Sequence, residues 1–349
     1  MIALFEAHPE LAERLPRVAL GDFPTPVQRL ERLGDGRCEL FVKRDDLSAE
    51  PYGGNKVRKL EFLLGRAVAC GAKRVQTLGA AGSNHALATA IYARRLGLEC
   101  TSLLYHQPVA RYVARNLLFA KRSGATLELA ANDLAAAGMR LRGSFHIPMG
   151  GSSVLGAIGF VNAGFELAAQ VRRDELPRPQ WIYVALGTMG TAAGLLLGLR
   201  AAGLDTRVVA VRVVAERIAS PARLRRLYRN TNRLLHRLDP AFPRCPFEGI
   251  EIREEFFGGK YARFTPEGMR AVALARDRAS LALEGTYTGK TFAALLEDLR
   301  NPSMRDQVIV FWNTFNSRPF PADLAEEDYR ELPEGLHRYF EEPAQLLDD

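Results

Sequence analysis

Gln180-Trp-Ile-Tyr-Val-Ala-Leu186 runs directly into Gly187-Thr188-Met189-Gly190-Thr191, and the Ala/Leu/Gly-rich stretch that follows extends to about residue 201. The first segment, mostly apolar, has the pattern of a strand buried on both faces, as parallel sheets contain. The glycines end it, and the run after them predicts a helix. Strand, glycine turn and helix form the unit with which open α/β folds place ligands at the ends of their strands. Here the glycines let backbone N–H groups converge, Thr191 adds a hydroxyl, and the helix adds its dipole. That makes a cradle for phosphate. The turn lacks the Gly-Lys-Ser/Thr of triphosphate loops and the G-x-G-x-x-G of dinucleotide folds, so a monophosphate is the expected ligand.

The same alternation extends in both directions. Strands are expected at 41–43, 74–78, 99–104, 207–214 and 307–312, with helices at 57–70 and 84–96. This predicts an α/β architecture with parallel sheets. The chain has 349 residues, 47% of them hydrophobic and 25% charged, which excludes wholesale disorder and suggests two domains. Its formal charge is +7, unevenly spread: residues 217–244 hold eight Arg and one Asp, while 321–349 hold ten carboxylates and two Arg. Leu224, Leu227, Leu234, Leu235 and Leu238 punctuate the basic stretch at helical spacing. An amphipathic surface helix pair with a solvated Arg face is therefore expected, and no nucleic-acid partner. The polar stretch 172–179 reads as a loop between two lobes, and the acidic tail as a docked helical extension.

Cys38, Cys70, Cys100 and Cys245 have no metal-ligand spacing, and the N-terminus lacks a signal-peptide pattern. No run approaching 18 uncharged apolar residues stands out, so no membrane partner is expected. A cytoplasmic setting without a metal follows as the expectation.

Two further turns precede helices. In Gly53-Gly54-Asn55-Lys56 a lysine opens a helix whose N-terminus is already partly positive. Such surroundings lower an amine pKa, which makes Lys56 a better nucleophile and a candidate Schiff-base former; a merely solvated lysine is the plainer reading. In Gly79-Ala80-Ala81-Gly82-Ser83-Asn84-His85, Ser83 can be an N-cap, or Ser83, Asn84 and His85 can meet a ligand at the helix N-terminus.

Taken in order, these motifs resemble the fold-type II pyridoxal-phosphate enzymes, in the D-cysteine desulfhydrase and 1-aminocyclopropane-1-carboxylate deaminase branch. Pro24-Thr25-Pro26 and Val42-Lys43-Arg44-Asp45-Asp46 are similar to that branch's P-T-P and I-K-R-D-D. Gly53–Phe62 is similar throughout, Ile147-Pro-Met-Gly-Gly-Ser-Ser-Val-Leu-Gly156 looks like I-P-x-G-G-S-S-x-x-G, and Thr286-Tyr287-Thr288-Gly289-Lys290 resembles V-Y-T-G-K. The resemblance spans about residues 23–316. It implies a tryptophan synthase β-like fold with two open, twisted, mostly parallel sheets flanked by helices. It also implies a large cofactor domain (1–56 and 166–349, with 321–349 as its acidic extension), a small domain (57–165), and a homodimer.

Carried over residue by residue, the resemblance gives Lys56 the task of holding pyridoxal 5'-phosphate and moving the substrate α-proton. Asn84 would bond the ring hydroxyl, and Ser83, Asn84 and His85 would face the substrate carboxylate. Gly187, Thr188, Gly190 and Thr191 would hold the phosphate, and Thr314 would meet the ring nitrogen. Tyr287 would pack on the ring or face the reacting atoms, with Tyr261 as a second active-site tyrosine. A hydroxyl partner leaves the ring a weaker electron sink than a carboxylate would, which suits chemistry with a departing β-group.

Within the branch, the deaminases have Glu where this chain has Thr288 and Leu where it has Thr314, so α,β-elimination of D-cysteine to pyruvate, sulfide and ammonia is the expected reaction. Departures from the branch pattern lie at Glu284-Gly285, at Lys260 and Ala262 around Tyr261, and at Phe315-Asn316. They leave open a deaminase or β-replacement enzyme acting on another amino acid. A non-catalytic ligand- or nucleic-acid-binding paralogue is the reading from another class.

Overall fold

The computed structural model describes residues 1–33 and 37–348. A six-stranded sheet has the order β1 (Val27–Arg29), β2 (Glu39–Lys43), β10 (Val308–Trp312), β7 (Trp181–Leu186), β8 (Arg207–Arg212) and β9 (Ile250–Arg253). A four-stranded sheet has the order β5 (Thr126–Leu129), β4 (Glu99–Tyr105), β3 (Arg74–Ala80) and β6 (Ser144–Ile147). Every pairing is parallel except β1 with β2. Alternate residues of the central strands feed separate cores: Ile182, Val184, Val208, Val310 and Trp312 on one side, Tyr183, Val209, Ile309 and Phe311 on the other. This two-sided burial is why β7 reads as an unbroken apolar run.

Helices cover both sheets. In chain order they are α1 (Ala3–Ala7), α2 (Pro9–Arg14), α3 (Lys56–Ala69), α4 (Asn84–Arg95), α5 (Arg111–Arg122), α6 (Asp133–Gly138), α7 (Val154–Arg172), α8 (Gly190–Ala201), α9 (Pro221–Leu238), α10 (Pro266–Ala279), α11 (Thr288–Asp298) and α12 (Arg338–Glu341). Helix α7 is the hub, packed against both α3 and α8. A Cβ on Gly198 of α8 would overlap the Val161 carbonyl of α7, and one on Gly159 of α7 would overlap the Arg58 carbonyl of α3. The three helices therefore meet backbone to backbone.

Several expectations change. α7 is long and apolar enough to cross a membrane, a run the sequence reading passed over, but most of it is buried among these helices. The Arg-rich stretch is one helix, α9, rather than a pair. Thr231 and Asn232 in its middle are buried and bonded to the carbonyls of Leu227 and Pro243. Residues 172–179 join α7 to β7, and Leu176 sits in the core that both elements share, so the segment does not run between lobes. The acidic tail does dock as expected. Leu324, Leu332, Leu336 and Tyr339 enter the core of the four-stranded sheet, while Lys121 and Arg122 of α5 pair with Glu327 and Asp323.

Beneath α3 lies a buried ionic network. Glu166 of α7 accepts from Lys43 Nζ at 2.5 Å, Arg58 Nη1 at 2.9 Å and the Thr25 N–H at 2.9 Å. Arg58 also forks onto Asp45 at 2.9 and 2.7 Å. All five residues are at most 4% exposed. Burial alone would raise the Glu166 carboxyl pKa, but the charges and hydrogen bonds of Arg58 and Lys43 outweigh it and hold the group at about 2.

Candidate active site

The C-terminal ends of both sheets face a cleft with a cavity of about 390 Å³. Lys56, Ser83, Asn84, His85, Gly187, Thr188, Thr191, Tyr261, Tyr287 and Thr314 all line it. Of the residues to which the resemblance gives a role at the cofactor or substrate, Gly190 stands back from the lining, and its N–H donates to Ser152 Oγ at 3.0 Å.

Lys56 is the first residue of α3. Its Nζ donates to Asn55 Oδ1 at 2.9 Å, and Asn55 Nδ2 donates to Thr191 Oγ1 at 3.0 Å, which links the lysine turn to the phosphate-type turn. Gly54, at φ +88°, lets that turn pass the carbonyls of Thr314 and Phe315. The departure at Asn316 has a local role: its Oδ1 accepts the Gly53 N–H at 2.6 Å. Phe315 lines the cavity. Burial lowers the Lys56 pKa to about 8, with the Glu284 carboxylate offsetting part of the effect.

The sequence reading missed Lys59, although it lies three residues after Lys56 and so on the same helix face. Its Nζ donates to the Gly150 carbonyl at 3.1 Å and lies 3.4 Å from Ser152 Oγ, which in turn meets Thr188 Oγ1 at 2.7 Å. A Cβ on Gly190 would come within 2.7 Å of Ser152 Oγ and 3.1 Å of Lys59 Nζ. Burial, and then the Lys56 charge, hold Lys59 well below its ordinary pKa. Burial together with both lysines does the same to His85, which is therefore neutral. Two lysines gathered at the N-terminus of α8 form a site whose charge calls for an anion. Hydroxyls, ammonium groups and a glycine-lined turn are a donor set that fits a phosphate monoester.

On the opposite side of the lysine turn, Ser83 caps α4 by accepting the Ala86 N–H at 3.2 Å, as the first reading of it expects, and it also lines the cavity. Asn84 Oδ1 accepts from Tyr52 Oη and Asn116 Nδ2, both at 3.1 Å. Because Asn116 Nδ2 also donates to the Gly82 carbonyl at 2.9 Å, the orientation is fixed and leaves Asn84 Nδ2 as a free donor. Tyr261 and Tyr287 join their hydroxyls at 2.7 Å. Burial keeps both phenols protonated. Glu284, another departure, accepts the N–H groups of Thr286, Tyr287 and Thr288 at 2.7–2.9 Å and so anchors the start of α11. Asp133 and Arg217 pair at 2.7 Å on the cavity wall.

This arrangement offers an amine that is partly neutral near physiological pH, an anion cradle and a pair of phenolic donors. An ammonium has no lone pair to attack a carbonyl, so the reactive fraction of Lys56 rises with pH. Capture of pyridoxal phosphate by cofactor-free protein is expected to accelerate as pH rises through about 8 and then level off, as followed by visible absorbance. A rate independent of pH across that range would contradict the lowered pKa.

Comparison with known proteins shows the family. The family model "Pyridoxal-phosphate dependent enzyme" matches residues 18–314. Nocardicin C-9' epimerase of Nocardia uniformis subsp. tsuyamanensis is 35% identical over 330 residues, covering 89% of this chain and 98% of that protein. D-cysteine desulfhydrase of Serratia proteamaculans is 33% identical over 313 residues, covering 84% and 91%. A crystal structure of an ACC deaminase homologue superposes with a TM-score of 0.74 at 29% identity, covering 89% and 94%. The donor set, the lysine and these likenesses agree, and the chain belongs to the pyridoxal-phosphate dependent enzyme family, in its D-cysteine desulfhydrase and ACC deaminase branch.

Proposed function

We propose that this enzyme catalyses α,β-elimination on a small amino acid, with D-cysteine as the substrate and pyruvate, sulfide and ammonia as the products. One observation carries the proposal: Lys56, with its lowered pKa, shares a cavity with the Tyr261–Tyr287 hydroxyl pair. An amine base and neutral phenolic donors suit removal of an α-proton and departure of a thiolate. Bound pyridoxal phosphate supplies a conjugated ring that takes up charge from the substrate α-carbon.

In this reading Lys56 would hold the cofactor, and its Nζ would remove the α-proton as the thiolate departs from the β-carbon. Lys59, Thr188, Thr191 and the turn Gly187–Met189 would bind the phosphate, with Gly190 supporting the turn through its N–H to Ser152 Oγ. Asn84 would bond the ring hydroxyl, Thr314 would meet the ring nitrogen, and Ser83, Asn84 and His85 would receive the substrate carboxylate. Tyr261 and Tyr287 donate towards the leaving group. The chain divides into 1–56 with 166–320 around the larger sheet and 57–165 around the smaller, except that the first half of α7 packs in the larger core and the acidic extension 321–349 in the smaller. A cytoplasmic homodimer is part of the same proposal, resting on the cysteine pattern and the family likeness.

The similarity to an epimerase supports a second reading, in which the proton taken from one face of the α-carbon is replaced on the other. Incubating purified holoenzyme with D-cysteine in deuterated water separates the two. Pyruvate and sulfide release is expected. Recovery of intact, deuterated amino acid of inverted configuration would select epimerisation, and an inert D-cysteine would reject elimination of that substrate.

A further inference from the structure

The C-terminal tail does more than cover apolar surface. Beyond α12, Gln345 reaches the segment that carries Tyr261. Its Nε2 donates to the Ala262 carbonyl at 3.0 Å, and its Oε1 accepts the Phe264 N–H at 2.8 Å. The same residue's backbone N–H donates to the Val109 carbonyl at 3.0 Å, and Asp348 Oδ2 accepts the Arg111 N–H at 2.5 Å. One short stretch thus ties the approach to α5, beside the small sheet, to the tyrosine loop beside the large one.

The loop needs such a tie. Ala262 is fully buried at φ +59°, a left-handed conformation that side chains other than glycine rarely adopt. Gln345 grips the backbone directly after this kink, at the Ala262 carbonyl and the Phe264 N–H, and Tyr261 immediately precedes it. Tyr339 braces the opposite wall: its hydroxyl accepts the Gln107 N–H at 2.9 Å, and Gln107 Oε1 accepts the Gly82 N–H at 3.0 Å, next to Ser83.

We propose that Gln345 is a positioning residue that fixes the loop 260–264 and, through it, the Tyr261 hydroxyl against Tyr287. The inference rests on reading Tyr261 as a site residue and not on D-cysteine being the substrate.

The test compares wild-type holoenzyme with Gln345→Leu, Gln345→Glu and a chain ending at Pro343, which keeps the core residues Leu336 and Tyr339. Hydrogen exchange at the Phe264 amide is expected to quicken about tenfold in Gln345→Leu and in the truncated chain. Gln345→Glu, which still accepts from Phe264 but cannot donate to Ala262, is expected to fall between them and wild type. The visible circular dichroism of the bound cofactor should change in the same order, approaching that of Tyr261→Phe. Unchanged exchange, or faster exchange with wild-type dichroism, would overturn the proposal. Neither readout needs a substrate, so failure of the elimination reading is seen separately, as a wild type inert towards D-cysteine.

Discussion

Lys56→Ala is expected to give a folded protein without the visible absorbance of lysine-bound cofactor, and with turnover lower by at least about 10³-fold. The side chain leaves one end of a cavity, and its only hydrogen-bond partner among the described residues is Asn55 Oδ1, so little packing is lost. The phosphate turn, Thr188, Thr191 and Lys59 remain, and the variant should still bind pyridoxal phosphate reversibly. Burial, the main cause of the lowered Lys59 pKa, persists in the variant, and only the smaller contribution from the Lys56 charge is relieved. Spectral titration and steady-state turnover check both halves. Turnover near the wild-type rate would rule Lys56 out as the catalytic base.

The second large effect belongs to stability. Glu166→Gln removes the carboxylate that neutralises Lys43 and Arg58 in the buried network and leaves Asp45 to face both cations. Breaking a buried pair in this way costs about 3–5 kcal/mol, a large share of the roughly 5–15 kcal/mol that holds a typical domain folded. A fall of that size in unfolding free energy, measured by denaturant titration, is the expected result; a loss within about 0.5 kcal/mol would show that the network contributes no more than a surface position. The pH dependence has a definite sign. The folded carboxyl sits at about 2 against an ordinary value of about 4.5, so its contribution is fully present above about 4.5 and is lost as pH falls towards 2. Glu166→Gln should flatten the stability profile in that acid window. Because Arg58 lies two residues after Lys56, the variant should also loosen the lysine turn.

What the sequence disclosed was local. β7 and its glycine turn were legible because a buried parallel strand announces itself by an unbroken apolar run, and a glycine-rich helix entry by composition. β1, β5, β6 and β9 were not, because stretches such as Ile250-Glu-Ile-Arg253 become strands only through partners distant in the chain. The single helix α9 was misread for a related reason: Asn230-Thr231-Asn232 are poor helix formers until tertiary packing and side-chain bonds support them. At the site, the lysine, the Ser-Asn-His turn and the tyrosines were found by motif. Lys59 had a detectable signal in its spacing from Lys56, whereas Glu284 and Asn316 serve through backbone N–H groups that no pattern reveals. Gln345 bonds to Ala262 and Phe264 from a distant part of the sequence, beside a kink that only the backbone dihedral discloses.

The glycine contacts that seat α3, α7 and α8 against one another bear on how such an enzyme can diverge. Lys56 begins one of these helices and the turn Gly187–Thr191 leads into another, so the span between the two proposed anchor points of the cofactor is a dimension of the backbone rather than of adjustable side chains. Any residue larger than glycine at Gly159 or Gly198 would alter that dimension for every substrate at once. The cavity wall at Asp133, Arg217, Lys260 and Phe315 carries no such burden. Innovation can accumulate there while the anchoring block is inherited unchanged, as a toolmaker alters the jaws of a vice and leaves its screw alone.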